Sequence, residues 1–269
     1  EDYFFEEYRN HYGRSYLEDF ESIKKMGTRR VSIINRVHRR SGVATAHTPR
    51  LLDVGCAYGP FLLAAAEAGY QPEGLDVAGA AVEYVRNKLG FQAYNLAFED
   101  YGPKKAASAA FGQGREAYDI VSMWYVIEHF PSVERTLSKA NSLLKMGGLL
   151  AFSTPNSTGI SGRKSLKNFL RKSPRDHHTV WAPSVADRVV RRFGFRIRKV
   201  VVTGHHPERF PLVGRVVEQG PLAESNSVGS FFRRVLYSAV LLLSQAARLG
   251  DTFEVYAEKV EDLPVEEGE

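Results

Sequence analysis

The sequence predicts an α/β protein: a doubly wound, Rossmann-like sheet of seven strands, mostly parallel, with an antiparallel last strand. Three observations carry this reading. Between Arg50 and Pro155 short apolar runs alternate with segments of helical periodicity, the pattern of a parallel sheet covered on both faces. The first run ends in "LLDVGCAYGPF" (51–61), where small residues crowd the point at which a strand turns into a helix. The last run, "DTFEVYAEKV" (251–260), alternates apolar and polar residues, as an edge or antiparallel strand does.

Taken in order, Phe20, Ile23, Val31, Ile34 and Val37 fall at helical spacing, so a helix leads in over 17–40. "RLLDVG" is the first strand, and "PFLLAAAEAGY" is a helix opened by Pro60 and closed by Gly69. "QPEGLDV" is the second strand, and "AGAAVEYVRNKLGF" a helix stopped by Gly90. "FQAYNLA" and "AYDIVSMW" are the third and fourth strands. "PSVERTLSKANSLLKMGG" is a helix with Gly147 and Gly148 past its end, and "LLAFSTP" is the fifth strand.

After Pro155 the rhythm breaks, and the basic, Gly- and Ser-rich residues 157–182 read as a substrate insertion. "SVADRVVRRFGF" is a helix with Val185, Val189, Val190 and Phe193 inward, and "RIRKVVVTG" is the sixth strand. A long connection and a helix fill 204–250 before the last strand. The expected organisation is a helical N-terminal lid (1–47), a main domain (48–260) with its cofactor core at 50–156, and a tail (261–269). The leading segment "YFFEEYRNHYGRSYLEDF" is rich in aromatics, which suits a lid over a cofactor and an apolar substrate.

At 43% hydrophobic and 25% charged residues the chain can bury an ordinary core. Its one cysteine, Cys56, excludes an internal disulfide and a cysteine-built metal cluster, and suits a reducing compartment. No secretory leader is expected, and the most apolar segment, "VLYSAVLLLSQAA" (235–247), is shorter than the roughly 20 residues of a bilayer span. The expected location is cytoplasmic, with the inner membrane face as a peripheral option. The net charge of +5 is unevenly spread: residues 157–216 hold 14 Lys and Arg against 3 Asp and Glu. Such a stretch is either a solvated face or a site for an anionic partner: phosphate, nucleic acid or an anionic membrane surface.

In a doubly wound sheet the ligand sits beyond the strand C-termini, and glycine lets a cofactor approach the backbone there. The small residues Gly55, Ala57 and Gly59 do not match the G-x-G-x-x-G spacing of a dinucleotide site. Asp53, two residues ahead of Gly55, would repel a diphosphate but attracts a sulfonium or an ammonium group. Asp76 ends the second strand, where a carboxylate accepts hydrogen bonds from ribose hydroxyls. The cofactor implied is a cationic adenosine derivative, S-adenosyl-L-methionine.

The pieces "LLDVGCAYG", "EGLDV", "AFED", "YDIVSMWYVIEHF" and "LLKMGGLLAFSTPN" resemble, in order and spacing, the core of class I S-adenosylmethionine-dependent methyltransferases. Within that class the chain is most similar to the small-molecule O-methyltransferases of the ubiquinone-biosynthesis type. The resemblance implies that Asp53, Gly55, Cys56, Ala57 and Gly59 line the methionine and ribose side of the cofactor, with Asp76 and Val77 at the ribose. It implies Phe98 and Glu99 beside the adenine, Trp124 above the cofactor, and Arg30 on the methionine carboxylate. Ala57 stands where the family has a middle glycine, and Ala97 where a polar residue is usual.

Methyl transfer to a hydroxyl needs an aligned oxygen and somewhere for its proton to go. His129, in "IEHFP", and His177 and His178, in "SPRDHHTVW", are the catalytic candidates; His205 and His206 follow the sixth strand. No metal is expected, because no acidic Asp/Glu–Asp-Asn cluster is evident and adjacent histidines do not readily share one ion. A nucleophilic cysteine mechanism is excluded, since Cys56 lies in the cofactor loop. The expected acceptor is an oxygen of a small or lipid-like molecule. The alternatives are an RNA-modifying methyltransferase that uses the basic second half, for which stacking aromatics are missing, and a non-catalytic cofactor-binding partner subunit. The residues do not specify an oligomeric state.

Overall fold

The computed structural model describes residues 8–9, 13–40, 48–102, 118–210 and 228–263. Most of the aromatic leading segment, the 211–227 part of the long connection and the end of the tail lie outside the described residues. The strands are β1 (Arg50–Val54), β2 (Gln71–Asp76), β3 (Gln92–Asn95), β4 (Tyr118–Trp124), β5 (Leu144–Pro155), β6 (Phe195–Thr203) and β7 (Thr252–Lys259). They form one sheet in the order β3-β2-β1-β4-β5-β7-β6. β1 to β5 pair in parallel, and β7 runs antiparallel to both β5 and β6. The direction of winding reverses between β1 and β4, so a crevice opens beyond Val54 and Trp124.

Alternation along the strands gives the sheet two apolar faces. On one face α1 (Phe20–Arg40) buries Val31 and Ile34, and α2 (Pro60–Glu67) buries Phe61 and Ala65, against Leu51, Ile120 and Leu149. On the other, Leu137 and Ala140 of α4 (Val133–Leu143) and Ala186 and Val190 of α7 (Pro183–Arg191) cover Leu52, Val121, Leu150 and Phe152. Pro60 sits in the first turn of α2, and the Ser132 hydroxyl accepts from the Arg135 amide to cap α4. The helix after β2, α3 (Gly79–Tyr84), runs on as a π turn (Val85–Leu89) that stops at left-handed Gly90.

Two expectations are corrected in detail. Helix α4 ends at Leu143, so Gly147 and Gly148 lie inside β5 rather than beyond a helix. Buried Lys259 braces this junction: its Nζ donates to the carbonyls of Asn141 (2.8 Å) and Leu144 (2.9 Å), where the helix passes into the strand. The last strand is antiparallel but interior, between β5 and β7's other neighbour β6. Its alternation separates two buried chemistries. Phe253, Val255 and Ala257 join the apolar core, whereas Glu254 pairs with Arg29 and Arg30 and Glu258 pairs with Arg198.

The insertion is tied to the end of the sheet. Asn156 is fully buried, donates to the Gly250 carbonyl (2.8 Å) and accepts from Thr158, and the Ser157 amide donates to the Trp181 carbonyl (2.9 Å). Between them lie the short helices α5 (Ile160–Lys164) and α6 (Leu166–Lys172). Helix α8 (Val228–Ala246) precedes β7. No helix among the described residues is long and apolar enough to cross a membrane.

Candidate active site

The first half of the crevice is built from the ends of β1 and β2. Asp53 is 2% exposed, and its Oδ1 accepts from the Ser122 hydroxyl (2.6 Å). Alternate residues of the following turn take left-handed backbone: Gly55 at φ +71°, Ala57 at +47° and Gly59 at +82°. A Cβ at Gly59 would come within 2.8 Å of Leu89 Cδ1 and would have to push that side chain aside, on top of the strain of a positive φ. Asp76 holds the turn from across β2, where Oδ2 accepts from the Ala57 amide (2.8 Å) and Oδ1 from the Ala78 amide (2.9 Å). Burial pushes the Asp53 carboxyl up to about 7, against the pull of Ser122 and Arg30, and burial also raises Asp76.

Cys56 turns its thiol beneath β2, since a Cβ at Gly74 would lie 2.7 Å from its Sγ; only its backbone belongs to the turn. The Phe98 ring is buried in the core beside Phe130, and Glu99 is exposed. Val77 and Leu96, by contrast, present exposed apolar side chains beyond β2 and β3, joined by Asn95 Nδ2, which donates to the Asp76 and Val77 carbonyls. Leu96 is absent from the sequence-based site. A leucine left exposed just past a strand was its one signal.

Arg30 is buried at 4% exposure, bonds Glu254 through Nε (3.0 Å), and lies 4.2 Å from the centre of the Trp124 ring. Trp124 is wedged between Phe61 and Tyr256, and its buried Nε1 has no hydrogen-bond partner among the described residues. Tyr16 packs on Tyr58 of the turn (ring centres 5.8 Å apart) and on Tyr8, and its hydroxyl is raised by burial and by the charges of Asp53 and Asp76.

The second half joins the turn after β4 to the insertion. His129 Nδ1 bonds Asp176 Oδ2 (2.9 Å), and its ring meets that of His177 edge-on at 4.7 Å. The amides of His178 and Thr179 donate to the Glu128 carbonyl, which fixes the insertion on this turn. Burial pushes the Glu128 carboxyl up to about 7 and lowers His177. A cavity of about 90 Å³, lined in part by Thr154, Phe169, Leu170, His177 and Trp181, adjoins these groups. His178 is exposed and takes part through its backbone. His205 is elsewhere: its ring is held by Ser244 (2.9 Å) and the Val202 carbonyl (3.2 Å).

A family model described as a methyltransferase domain matches residues 25–200, more than half of the chain. The chain belongs to that methyltransferase family. It is 28% identical over 179 residues to a ubiquinone biosynthesis O-methyltransferase of Burkholderia pseudomallei, spanning 63% of this chain and 75% of that one. It is 25% identical over 195 residues to the enzyme of the same name from Nitrosospira multiformis, spanning 70% and 77%. A SAM-dependent methyltransferase of Archaeoglobus fulgidus superposes with a TM-score of 0.52 at 21% identity, covering 86% of this chain and 94% of that one. That likeness is one of fold. This methyltransferase is therefore an enzyme with the Rossmann-like fold expected from its sequence, and S-adenosylmethionine is the cofactor that family and fold support.

Proposed function

We propose that this methyltransferase moves the methyl group of S-adenosylmethionine to an oxygen of a small or lipid-like molecule. The observation that carries the reading is the pair of buried carboxylates, Asp53 and Asp76, on either side of a turn with alternating left-handed residues. These residues fit the cofactor. Two buried carboxylates favour a cationic ligand, Asp76 keeps acceptor capacity for ribose hydroxyls, and the orphan Trp124 Nε1 near Arg30 offers a donor to a carboxylate. Val77 and Leu96 offer apolar cover for an adenine, and Tyr16 with the segment around it acts as the lid. Bound there, the cofactor supplies a methyl group already activated on a sulfonium.

At the other half, Asp176 holds the His129 ring in place, and the acceptor's hydroxyl is presented to that histidine cluster and gives up its proton there. The names of the curated relatives support oxygen as the acceptor atom. The test is calorimetric titration with S-adenosylhomocysteine, followed by a panel of phenols and prenylated phenols read by mass spectrometry. One-to-one micromolar binding and a phenol gaining one methyl group are expected. No binding by the folded chain sinks the reading, and methylation confined to nitrogen sinks its acceptor.

A lipid-like acceptor is favoured by the surface beside the cavity. Helix α6 and its flanks expose Leu166 and Leu170 among Arg163, Lys164, Lys167, Arg171 and Lys172, a composition suited to an anionic membrane surface. Co-sedimentation with phosphatidylglycerol vesicles, weakened about 100-fold by Lys167→Glu, Arg171→Glu and Lys172→Glu together, is the expected result. Equal retention on neutral vesicles counts against it.

A further inference from the structure

We propose that Tyr125 is an acceptor-binding residue, whose ring packs against a flat ring of the molecule that receives the methyl group. The assignment rests on the methyltransferase reading and concerns which acceptors that site prefers. Tyr125 follows the last residue of β4, at the mouth of the crevice, and its backbone is left-handed at φ +59°. A bulky side chain in that region is an outlier that costs free energy. The backbone has its own reason to turn there: the Tyr125 amide donates to the Ser153 carbonyl (3.0 Å) and lies equally close to the Ser153 hydroxyl. Glycine would make the same bonds without the strain, so the turn alone does not explain a tyrosine. Strain kept at the end of a strand beside a ligand crevice points to a use for the side chain.

The left-handed turn decides where that side chain goes. A strand continued in register would send Tyr125 to the face opposite Trp124. Instead both rings meet one guanidinium: Arg30 Cζ lies 4.2 Å from the centre of the Trp124 ring and 5.7 Å from that of Tyr125. Arg30 is itself held by Glu254 and reaches the Ser153 hydroxyl (3.5 Å), so the Tyr125 ring stands on a fixed support. Its neighbours are committed elsewhere. Val126 lies on the cofactor turn, where a Cβ at Gly55 would come 2.4 Å from its Cγ2. Ile127 and Glu128 are buried, and His129 is engaged by Asp176 and His177. Tyr125, at 40%, is the one exposed residue of 118–130.

An open aromatic side chain thus stands between a residue seated on the cofactor turn and the histidine that receives the acceptor's proton. Its uncovered surface is apolar and flat, and a planar ring covers such a surface with favourable stacking or edge contacts that a puckered ring does not match. Contact with Tyr125 fixes the plane of the acceptor, and so the direction in which its hydroxyl points. The residue therefore sets a preference for planar over saturated acceptors. It takes no part in proton transfer, and it does not touch the Asp53–Asp76 side of the crevice.

The test compares the full chain with Tyr125→Asn, which tolerates the left-handed backbone, and with Tyr125→Phe, in methylation of phenols and of cyclohexanols with the same substituents. The parent should methylate the phenols at lower KM. Tyr125→Asn should raise KM for a phenol by about 10- to 100-fold, with kcat within about threefold and S-adenosylhomocysteine affinity unchanged. Tyr125→Phe should bring KM back to within about threefold of the parent, since the ring and not the hydroxyl makes the contact. Circular dichroism melts establish that each variant is folded, and Tyr125→Gly stands in if Tyr125→Asn is not. A phenol KM unmoved by Tyr125→Asn overturns the assignment, as does a loss shared equally by Tyr125→Phe. A fall in cofactor affinity in step with KM also overturns it and makes Tyr125 a support of the crevice. In each of these cases methylation of the phenol by the parent leaves the methyltransferase reading standing. A parent that binds no S-adenosylhomocysteine removes that reading, and this assignment with it.

Discussion

The two halves of the crevice are assembled on different scales. Asp76 grips the amide of Ala57, 19 residues away, and the whole turn is written between Asp53 and Asp76. His129 meets Asp176 across 47 residues, and the contact depends on the insertion folding back onto the turn after β4. The first half is a local solution to a backbone problem, stiffened by left-handed residues and buried carboxylates. The second is a long-range juxtaposition of side chains on irregular segments. The one can be read along the chain, and the other needs the fold.

The strongest way to break this contrast is to remove one carboxylate from each half. Asp76→Ala deletes a ligand group and strands the Ala57 and Ala78 amides, so S-adenosylhomocysteine affinity should fall by about 1,000-fold in calorimetry. Asp176→Asn should leave that affinity unchanged. If both variants lose the ligand equally, the halves are not separable.

Next in size is the acceptor half. His129→Ala should lower turnover of a methylated phenol by about 100-fold while cofactor affinity holds. A loss seen in affinity instead would move His129 to the cofactor.

The same contrast explains what the sequence disclosed. Seven strands, their order of appearance and the placing of Asp53 and Asp76 about one turn follow from periodicity and from turn residues close in sequence. Less legible was the interior place of β7, because Glu254 and Glu258 meet their arginines through α1 and β6. Phe98 was less legible for a related reason: an aromatic after a strand can serve the core or a ligand, and its ring packs beside Phe130. The meeting of His129 with His177 had no local spacing to betray it.

Asp53 sharpens the comparison through pH. Its folded-state carboxyl titrates near 7, above its ordinary value of 3.8, because burial opposes the charge. The free protein therefore binds a proton there that the unfolded chain has lost, and its stability should fall as pH rises from about 4 to 7, then level off. The α-ammonium group of S-adenosylhomocysteine prefers an ionised carboxylate beside it, so this ligand should bind about tenfold more tightly at pH 8 than at pH 6. Asp53→Asn should flatten that slope, whereas Asp176→Asn should not. A slope that survives Asp53→Asn assigns the titration to another group.

The smallest effect tests whether the local half is set by conformation alone. Gly59 and Ala57 both have positive φ, yet only one is glycine. At +47° Ala57 lies at the edge of the small left-handed region that side chains tolerate, at a cost of about 1–2 kcal/mol. Its methyl group is 5% exposed, and burial of one methyl returns about 0.8 kcal/mol. Glycine there would also enlarge the entropy of the unfolded chain by about 0.4–1 kcal/mol. The terms nearly cancel, so Ala57→Gly should change stability by less than about 1 kcal/mol. Gly59→Ala has no such offset: at +82° the new Cβ would press on Leu89 and Val85, and the melting temperature should fall by about 2–8 °C. Equal melting curves for the two variants would mean that the turn adapts at Gly59 as well, and that glycine there serves the ligand rather than the fold.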